Sequence, residues 1–274
     1  MRELAPGSRW LAWCLLAVTA AAAPPVAGVP AGWRELTLLN ANAAHDLFST
    51  AVAADSSNRP ARLGLAVSLL GVQPRTDGTI AAAAEMFTAL RAENADDDEG
   101  IGAAYYLARI QQLHRSTPDR QAAVEAYRAL LAAHPDNHYA QMAAPKLAVL
   151  LLYDDVAPDE WERRVAEIGS LLPRLTTAEA VRDTRLVLAG ALIRLRRDHA
   201  RSYPLVTACL DANLVNRLPH LNTLLLQAAE SARQLGKTSA AVAYYRRFLD
   251  DFPRDIKADE VRRRLDALAP RAHP

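Results

Sequence analysis

Residues 123–135, Ala123-Val-Glu-Ala-Tyr127-Arg-Ala-Leu130-Leu-Ala-Ala-His-Pro135, and residues 241–253, Ala241-Val-Ala-Tyr-Tyr245-Arg-Arg-Phe248-Leu-Asp-Asp-Phe-Pro253, share one pattern. Each starts with a small residue, carries an aromatic ring four positions later and a large apolar residue seven positions later, and reaches a proline after twelve. Residues four and seven apart lie on one face of an α-helix, and proline ends a helix because it has no N–H. The pattern therefore predicts two equivalent helices that each bury one face.

The same offsets occur at four more places, which makes the pattern a repeat. Its first positions are spaced 39, 40, 38, 41 and 39 residues apart, at Ala44, Ala83, Ala123, Trp161, Ser202 and Ala241. The match is weaker over residues 139–220. From Leu36 onward the apolar periodicity is helical, turn signals rich in Gly, Pro, Asn and Asp separate the segments, and we find no convincing strand.

A fixed period of this length predicts stacked supersecondary units. We expect an all-α, antiparallel helix-hairpin solenoid of about six units of roughly 40 residues, closed by a charged capping helix over residues 256–268. The first unit is expected to lack its first helix, which would fall in the N-terminal segment described below.

These residues resemble the tetratricopeptide repeat (TPR) family. Leu235-Gly236-Lys237 is similar to the turn between the two helices of that repeat, and Asp55-Ser-Ser-Asn58 followed by Ala61 is similar to its junction between repeats. The resemblance covers most of the chain from Leu36 to Leu268. The period departs from the family's value of about 34 residues, and the first helices match poorly. A generic αα-solenoid outside the family is therefore the alternative.

The N-terminal segment has the features of an export signal. Arg2 and Arg9 precede an uncharged apolar run from Trp10 to Ala23, and the helix-breaking Pro24-Pro25 follows. This divides the chain into a signal peptide over residues 1–31 and a solenoid domain over residues 32–274. We expect an exported, periplasmic protein, and an uncleaved inner-membrane anchor is the alternative. The short signal and the arginine-rich, lysine-poor composition indicate a bacterial source.

Charge and cysteine content exclude several classes of protein. Loss of residues 1–31 leaves 30 basic and 30 acidic residues, so there is no general attraction to nucleic acid. Membrane contact is expected only if the N-terminal segment stays uncleaved. Cys209 then has no intramolecular disulfide partner, and we interpret it as a small buried hydrophobic residue.

No motif for catalysis, cofactor binding or metal binding stands out. Gly236-Lys237-Thr238 lacks the first glycine and the strand of a phosphate loop, and His134 and His138 have no third ligand nearby. The acidic run over residues 93–99 lacks the alternation of a calcium loop and is interpreted as a loop that favours the N-terminus of the next helix. We predict no enzyme activity and no cofactor.

The resemblance implies a scaffold that binds a protein or peptide of the cell envelope in its groove. If the aligned first helices line that groove, its polar residues are Tyr105, Gln112, Arg115, Arg194, Glu230 and Arg233. The alternatives are a helical accessory protein related to the superhelical part of cell-wall lytic enzymes, and a self-associating structural solenoid. The oligomeric state stays open.

The export hypothesis predicts a processed N-terminus. Small residues at the −3 and −1 positions place the start of the mature chain near Val29 or Gly32. Mass spectrometry of the N-terminal peptide, on protein purified from its native host, measures this directly. A chain that still begins at Met1 and is recovered from the cytoplasm would contradict it.

Overall fold

The computed structural model describes residues 28–154, 157–216 and 220–268, and within these ranges the protein is helical and has no strand. Its thirteen α-helices there are α1 (Gly28–Thr37), α2 (Ala41–Ala54), α3 (Arg59–Leu69), α4 (Asp77–Glu93), α5 (Asp98–Arg109), α6 (Arg120–Ala133), α7 (His138–Leu152), α8 (Pro158–Leu171), α9 (Ala178–Arg196), α10 (His199–Asp211), α11 (His220–Gln234), α12 (Thr238–Asp251) and α13 (Ala258–Leu268). A π-helical turn, Ile110–His114, extends α5, and a 3-10 turn, Leu172–Arg174, extends α8.

The helix boundaries follow from short polar side chains and prolines. At the N-terminus of most helices an Asn, Asp or Thr side chain accepts an otherwise unpaired backbone N–H, which stabilises the first turn. The residues that do this are Asn40, Asn58, Thr76, Asp97, Asp119, Asn137, Thr177 and Asp198. α6 and α12 end two residues before Pro135 and Pro253, as the sequence predicted.

The repeat pattern marks the buried face of every second helix. All eighteen residues at the first three offsets of the six units are less than 9% exposed, from Ala44, Phe48 and Ala51 in α2 to Ala241, Tyr245 and Phe248 in α12. The two units with a weak sequence match bury Trp161, Val165 and Ile168, and Ser202, Val206 and Cys209, equally well. The prediction of an all-α helix-hairpin solenoid is therefore confirmed.

The helices form two layers that differ in spacing. The backbones of successive first helices pack together from α1 through α3, α5 and α7 to α9, whereas those of the second helices α2, α4, α6, α8, α10 and α12 do not pack on one another. Because the first helices lie closer together, the array curves toward them, and we call their exposed side the groove. The row of first helices is interrupted once, since the backbones of α9 and α11 do not meet.

Ion pairs bridge part of the outer layer. Arg128 of α6 donates to Glu167 of α8 at 2.7 Å, and Arg201 of α10 donates to Glu162 of α8 at 2.6 Å. The partners in each pair are 39 residues apart, so the repeat spacing places them on adjacent second helices. Because these side chains are largely exposed, each pair contributes no more than about 1 kcal/mol. They position α8 more than they stabilise the fold.

Two expectations about the ends of the array need correction. The first unit does have a first helix, because α1 packs against α2 with the rings of Trp33 and Phe48 in edge contact at 5.5 Å. The capping helix α13 begins at Ala258, two residues later than predicted, because Asp255 accepts the N–H groups of Lys257 and Ala258 in a turn. Residues 1–27 of the expected signal peptide lie outside the described residues.

Close approach in the first unit requires glycine. A Cβ built on Gly32 would lie 2.6 Å from the ring of Phe48, and one built on Gly64 would overlap the same ring from α3. Gly169 in α8 is the opposite case, since a Cβ there would meet no atom within 4 Å. A side chain at Gly64 would therefore clash with its neighbours, whereas a side chain at Gly169 would not.

Alanine substitutions at these two glycines are expected to change stability in opposite directions. Gly64→Ala should lower the free energy of unfolding by about 1–3 kcal/mol, because it overpacks a buried ring. Gly169→Ala should raise it by about 0.5–1 kcal/mol, because alanine restricts the unfolded chain and fills no occupied space. Urea unfolding of both variants measures the difference, and destabilisation by Gly169→Ala would contradict the packing described here.

Candidate protein-binding groove

A cleft opens in the groove where α9 and α11 separate. It has a volume of about 450 Å³ and is lined by Leu186, Val187, Ile193, Val215 and Leu224 together with Tyr153, Gly190, Arg194, His220, Thr223 and Gln227. A neighbouring hollow of about 420 Å³ continues it past Arg182, Asp183 and Asn216. The lining combines apolar walls with a few polar groups at the rim, which is the usual composition of a binding site.

A spacing of 37 residues relates the first helices across the groove. Tyr153, Gly190 and Gln227, which all line the cleft, are 37 residues apart, and the Tyr153 hydroxyl lies 3.0 Å from a Cβ built on Gly190. Gly102 and Tyr139 have the same separation, and a Cβ on Gly102 would lie 2.9 Å from the Tyr139 ring. Gly190 therefore makes room for a tyrosine hydroxyl at the mouth of the cleft.

The six residues predicted to line the groove fall into three separate places. Tyr105 and Gln112 are 3% and 8% exposed, inside the third unit, where Tyr105 packs near the rings of Tyr127 and Tyr139. Arg194 is exposed on the wall of the cleft. The structure does not bring the six residues together, and their roles in partner binding stay predictions.

The remaining three predicted residues are held by hydrogen bonds within the chain. Arg115 is exposed and donates to Gln111 at 2.8 Å. Glu230 and Arg233 form an ion pair at 2.6 Å. Each of the predicted groove residues except Arg194 is therefore either buried or hydrogen-bonded within the chain.

The repeat tyrosine has the same partner position in the third and last units. Tyr127 donates its hydroxyl to Gln112 at 2.9 Å, and Tyr245 donates to Glu230 at 3.1 Å. In both units the acceptor precedes the tyrosine by fifteen residues. Gln112 and Glu230 therefore occupy equivalent positions in these two units.

Glu230 joins the last three helices of the array. It accepts hydrogen bonds from Arg233 and Gln234 of its own helix, from Tyr245 of α12 and from Arg264 of α13. Arg233 foremost, together with Gln234 and Tyr245, lowers the pKa of Glu230 to about 2 against a smaller opposing effect of burial. The carboxylate is therefore charged at neutral pH and fixes the capping helix to the last hairpin.

Chemical groups for other functions are sparse in the described residues. No set of three or more His, Cys, Asp or Glu side chains there could hold a metal ion. Cys209 is buried, and burial raises the pKa of its thiol, which disfavours the reactive thiolate. Asp97 caps α5, as expected for the acidic run, and also pairs with Arg59 at 2.8 Å. None of the helices described is long and apolar enough to span a membrane.

Comparison with known proteins bears on the C-terminal unit. Residues 223–255 match the tetratricopeptide repeat family. This segment contains most of α11, all of α12 and the turn between them, in which Gly236 has a positive φ of 69°. The last hairpin therefore matches a tetratricopeptide repeat. No curated protein sequence matches it.

Solved structures with similar architecture are distant. A TPR protein of Thermus thermophilus shares 21% identity, with 77% of this chain and 98% of that one covered and a TM-score of 0.43. A tetratricopeptide repeat protein of Parabacteroides merdae shares 13%, with 89% and 93% covered and a TM-score of 0.43. The flexible tandem repeat domain of a bacterial cellulose synthase shares 15%, with 92% and 100% covered and a TM-score of 0.42. At these distances no function is carried over.

The lowered pKa of Glu230 predicts an acid-dependent loss of stability. A carboxylate whose folded pKa is about 2, against an ordinary 4.5, stabilises the fold above pH 5, and this contribution is lost as the pH falls toward 2. Glu230→Gln should therefore cost about 1–3 kcal/mol of unfolding free energy at pH 7 and progressively less toward pH 2.

Denaturant unfolding of the wild type and of Glu230→Gln at several pH values measures this difference. Glu125→Gln is the matched control, because Glu125 is exposed and accepts a hydrogen bond from Gln121 only. Its effect should stay within about 0.5 kcal/mol throughout. A cost of Glu230→Gln that does not change between pH 7 and pH 2 would show that the charge of Glu230 is not what holds α13.

Proposed function

We propose that this TPR-like protein is a non-catalytic, exported scaffold that binds a segment of another cell-envelope protein in its groove. The observation that carries the proposal is the cleft between α9 and α11, where the inner layer is open and apolar side chains are accessible. In a continuous solenoid this surface is covered by the neighbouring first helix. An apolar side chain of a partner can take its place.

The composition of the rim supports a protein partner. Tyr153 is 41% exposed and Arg194 is exposed, and tyrosine and arginine are the residues most enriched at the centres of protein interfaces. Leu195 at 47% and Val149 at 38% add apolar surface on the neighbouring turns of α9 and α7. Export and the envelope location rest on the N-terminal sequence alone.

A substitution that fills the cleft tests the proposal. Gln227 is half-buried on the cleft wall, so Gln227→Trp should block the space and reduce partner recovery about tenfold or more. Gln121→Trp, on the exposed side of α6, adds the same ring outside the groove and should leave recovery unchanged. Both variants are tagged, crosslinked in the native host and analysed by mass spectrometry of co-purifying proteins.

The competing functions give different outcomes in the same preparation. Equal recovery of a partner by wild type and Gln227→Trp would exclude the cleft as the binding site. Hydrolysis of cell-wall material that a single Glu substitution abolishes would overturn the non-catalytic scaffold. Concentration-dependent sedimentation without any captured protein would favour a self-associating solenoid.

A further inference from the structure

Four ionisable residues form a row across the first helices. Arg109, Lys146, Asp183 and His220 lie on α5, α7, α9 and α11, each 37 residues from the next. This is the separation at which Gly102 meets Tyr139 and Tyr153 meets Gly190, so the packing places residues with this spacing at one level of the groove. In order along the row these are two cations, one carboxylate and one histidine.

Arg109 is held in place without being neutralised. Its guanidinium donates to the side-chain oxygen of Gln112 at 2.6 Å, and the same oxygen accepts the hydroxyl of Tyr127. Gln112 is 8% exposed, so this anchor is buried beneath the groove. In the last unit the equivalent acceptor is Glu230, whose negative charge is shared by two arginines. A neutral amide leaves the full positive charge of Arg109 available.

Lys146 is the second uncompensated cation of the row. It is half-buried and forms no ion pair with any described residue. Burial lowers the pKa of Lys146, Arg109 lowers it further, and Asp183 acts in the opposite direction. Asp183 is itself paired with Arg182 at 2.7 Å. The α5 and α7 part of the groove thus holds two neighbouring positive charges whose mutual repulsion an anion would relieve.

We propose that Arg109 and Lys146 bind two acidic side chains of an extended segment of the partner protein, spaced three residues apart. Packed helices are separated by about 8–10 Å. A chain in the polyproline II conformation advances about 3.1 Å per residue with three residues per turn, so side chains three residues apart point to the same side and cover the distance from α5 to α7. This inference rests on the proposed scaffold function and specifies the chemistry of its partner.

The surroundings favour a peptide over a nucleic acid. Apolar side chains stand beside the two cations in the groove, with Leu113 51% exposed one turn beyond Arg109 and Val149 exposed one turn beyond Lys146. Nucleic-acid sites need several basic residues along a phosphate backbone, and the chain has a formal net charge of only +1. A segment that carries acidic residues three positions apart with apolar residues between them satisfies both kinds of surface.

Synthetic peptides test this chemistry directly. The probe is a 12-residue extended peptide of Ser and Leu with Glu at every third position, carrying a neutral dye, and binding is measured by fluorescence anisotropy. Peptides with Gln, or with Lys, in place of Glu are the matched probes. The Glu peptide should bind about 10- to 100-fold more tightly than the Gln peptide, and the Lys peptide should bind most weakly. Equal affinities for the Glu and Gln peptides would overturn the proposal.

Two independent substitutions assign the effect to the row. Gln112→Glu keeps the shape of the side chain, places a carboxylate at the position equivalent to Glu230 and neutralises Arg109. Lys146→Met removes the second charge and keeps the apolar stem. Each substitution should weaken the affinity for the Glu peptide about tenfold and leave the affinity for the Gln peptide unchanged. Arg91→Glu, an exposed cation on the outer side of α4, is the control and should have no effect on either peptide.

The outcomes separate this proposal from the scaffold function. In one outcome Gln227→Trp loses the cellular partner, Lys146→Met recovers it fully, and the protein shows no preference for the Glu peptide. This outcome would support the scaffold function and exclude recognition of acidic side chains. Tighter binding of a 12-nucleotide thymidine strand than of the Glu peptide would also overturn the proposal that Arg109 and Lys146 bind acidic side chains of a peptide. Selective, Lys146-dependent binding of the Glu peptide without any captured protein would support the row of cations and reject the scaffold.

Discussion

Every hairpin of this array depends on a small set of side chains packing between helices. In each second helix three residues spaced four and three positions apart are withdrawn from water, and in the third and last units the first of them is an alanine that lets the next helix approach a tyrosine ring. Because one hairpin can cover only one face of such a helix, its neighbour must cover the other. The two-layer arrangement, its direction of curvature and the exposure of the inner layer all follow from this requirement.

Most of this arrangement could be predicted from the second helices alone. The spacing of their apolar residues marks the buried face, so even Trp161, which is not small, and Val206, which is not aromatic, occupy the predicted buried positions. The helix at the N-terminal end of the array was harder to predict. The helix at Gly28–Thr37 lies against the apparent export signal in the sequence, and its packing depends on Gly32 and Phe48, which no periodicity links.

The groove was predicted less well because its residues are under weaker constraints. The second helices repeat at 38–41 residues, whereas Arg109, Lys146, Asp183 and His220 repeat at 37, so an alignment of second helices moves these four out of register. Gln112 and Glu230 were predicted as groove residues, and the structure shows that both accept the hydroxyl of the repeat tyrosine. The burial of Gln112 could not be inferred, since it depends on a hydrogen bond to a tyrosine from a different helix.

The comparison of Gln112 with Glu230 shows how one solenoid can carry different surfaces. Both residues accept a hydroxyl from the repeat tyrosine, but Gln112 also accepts from Arg109, three residues before it, whereas Glu230 accepts from Arg233, three residues after it, and from Arg264 of α13. The neutral amide of Gln112 leaves the charge of Arg109 uncompensated, whereas the carboxylate of Glu230 forms ion pairs with Arg233 and Arg264 and fixes the capping helix. Because Gln112 is 8% exposed, a change from Gln to Glu at this position would alter the electrostatic potential of the groove with little change in its surface. Around Arg109 the electrostatic character of the groove is therefore set by a side chain beneath it.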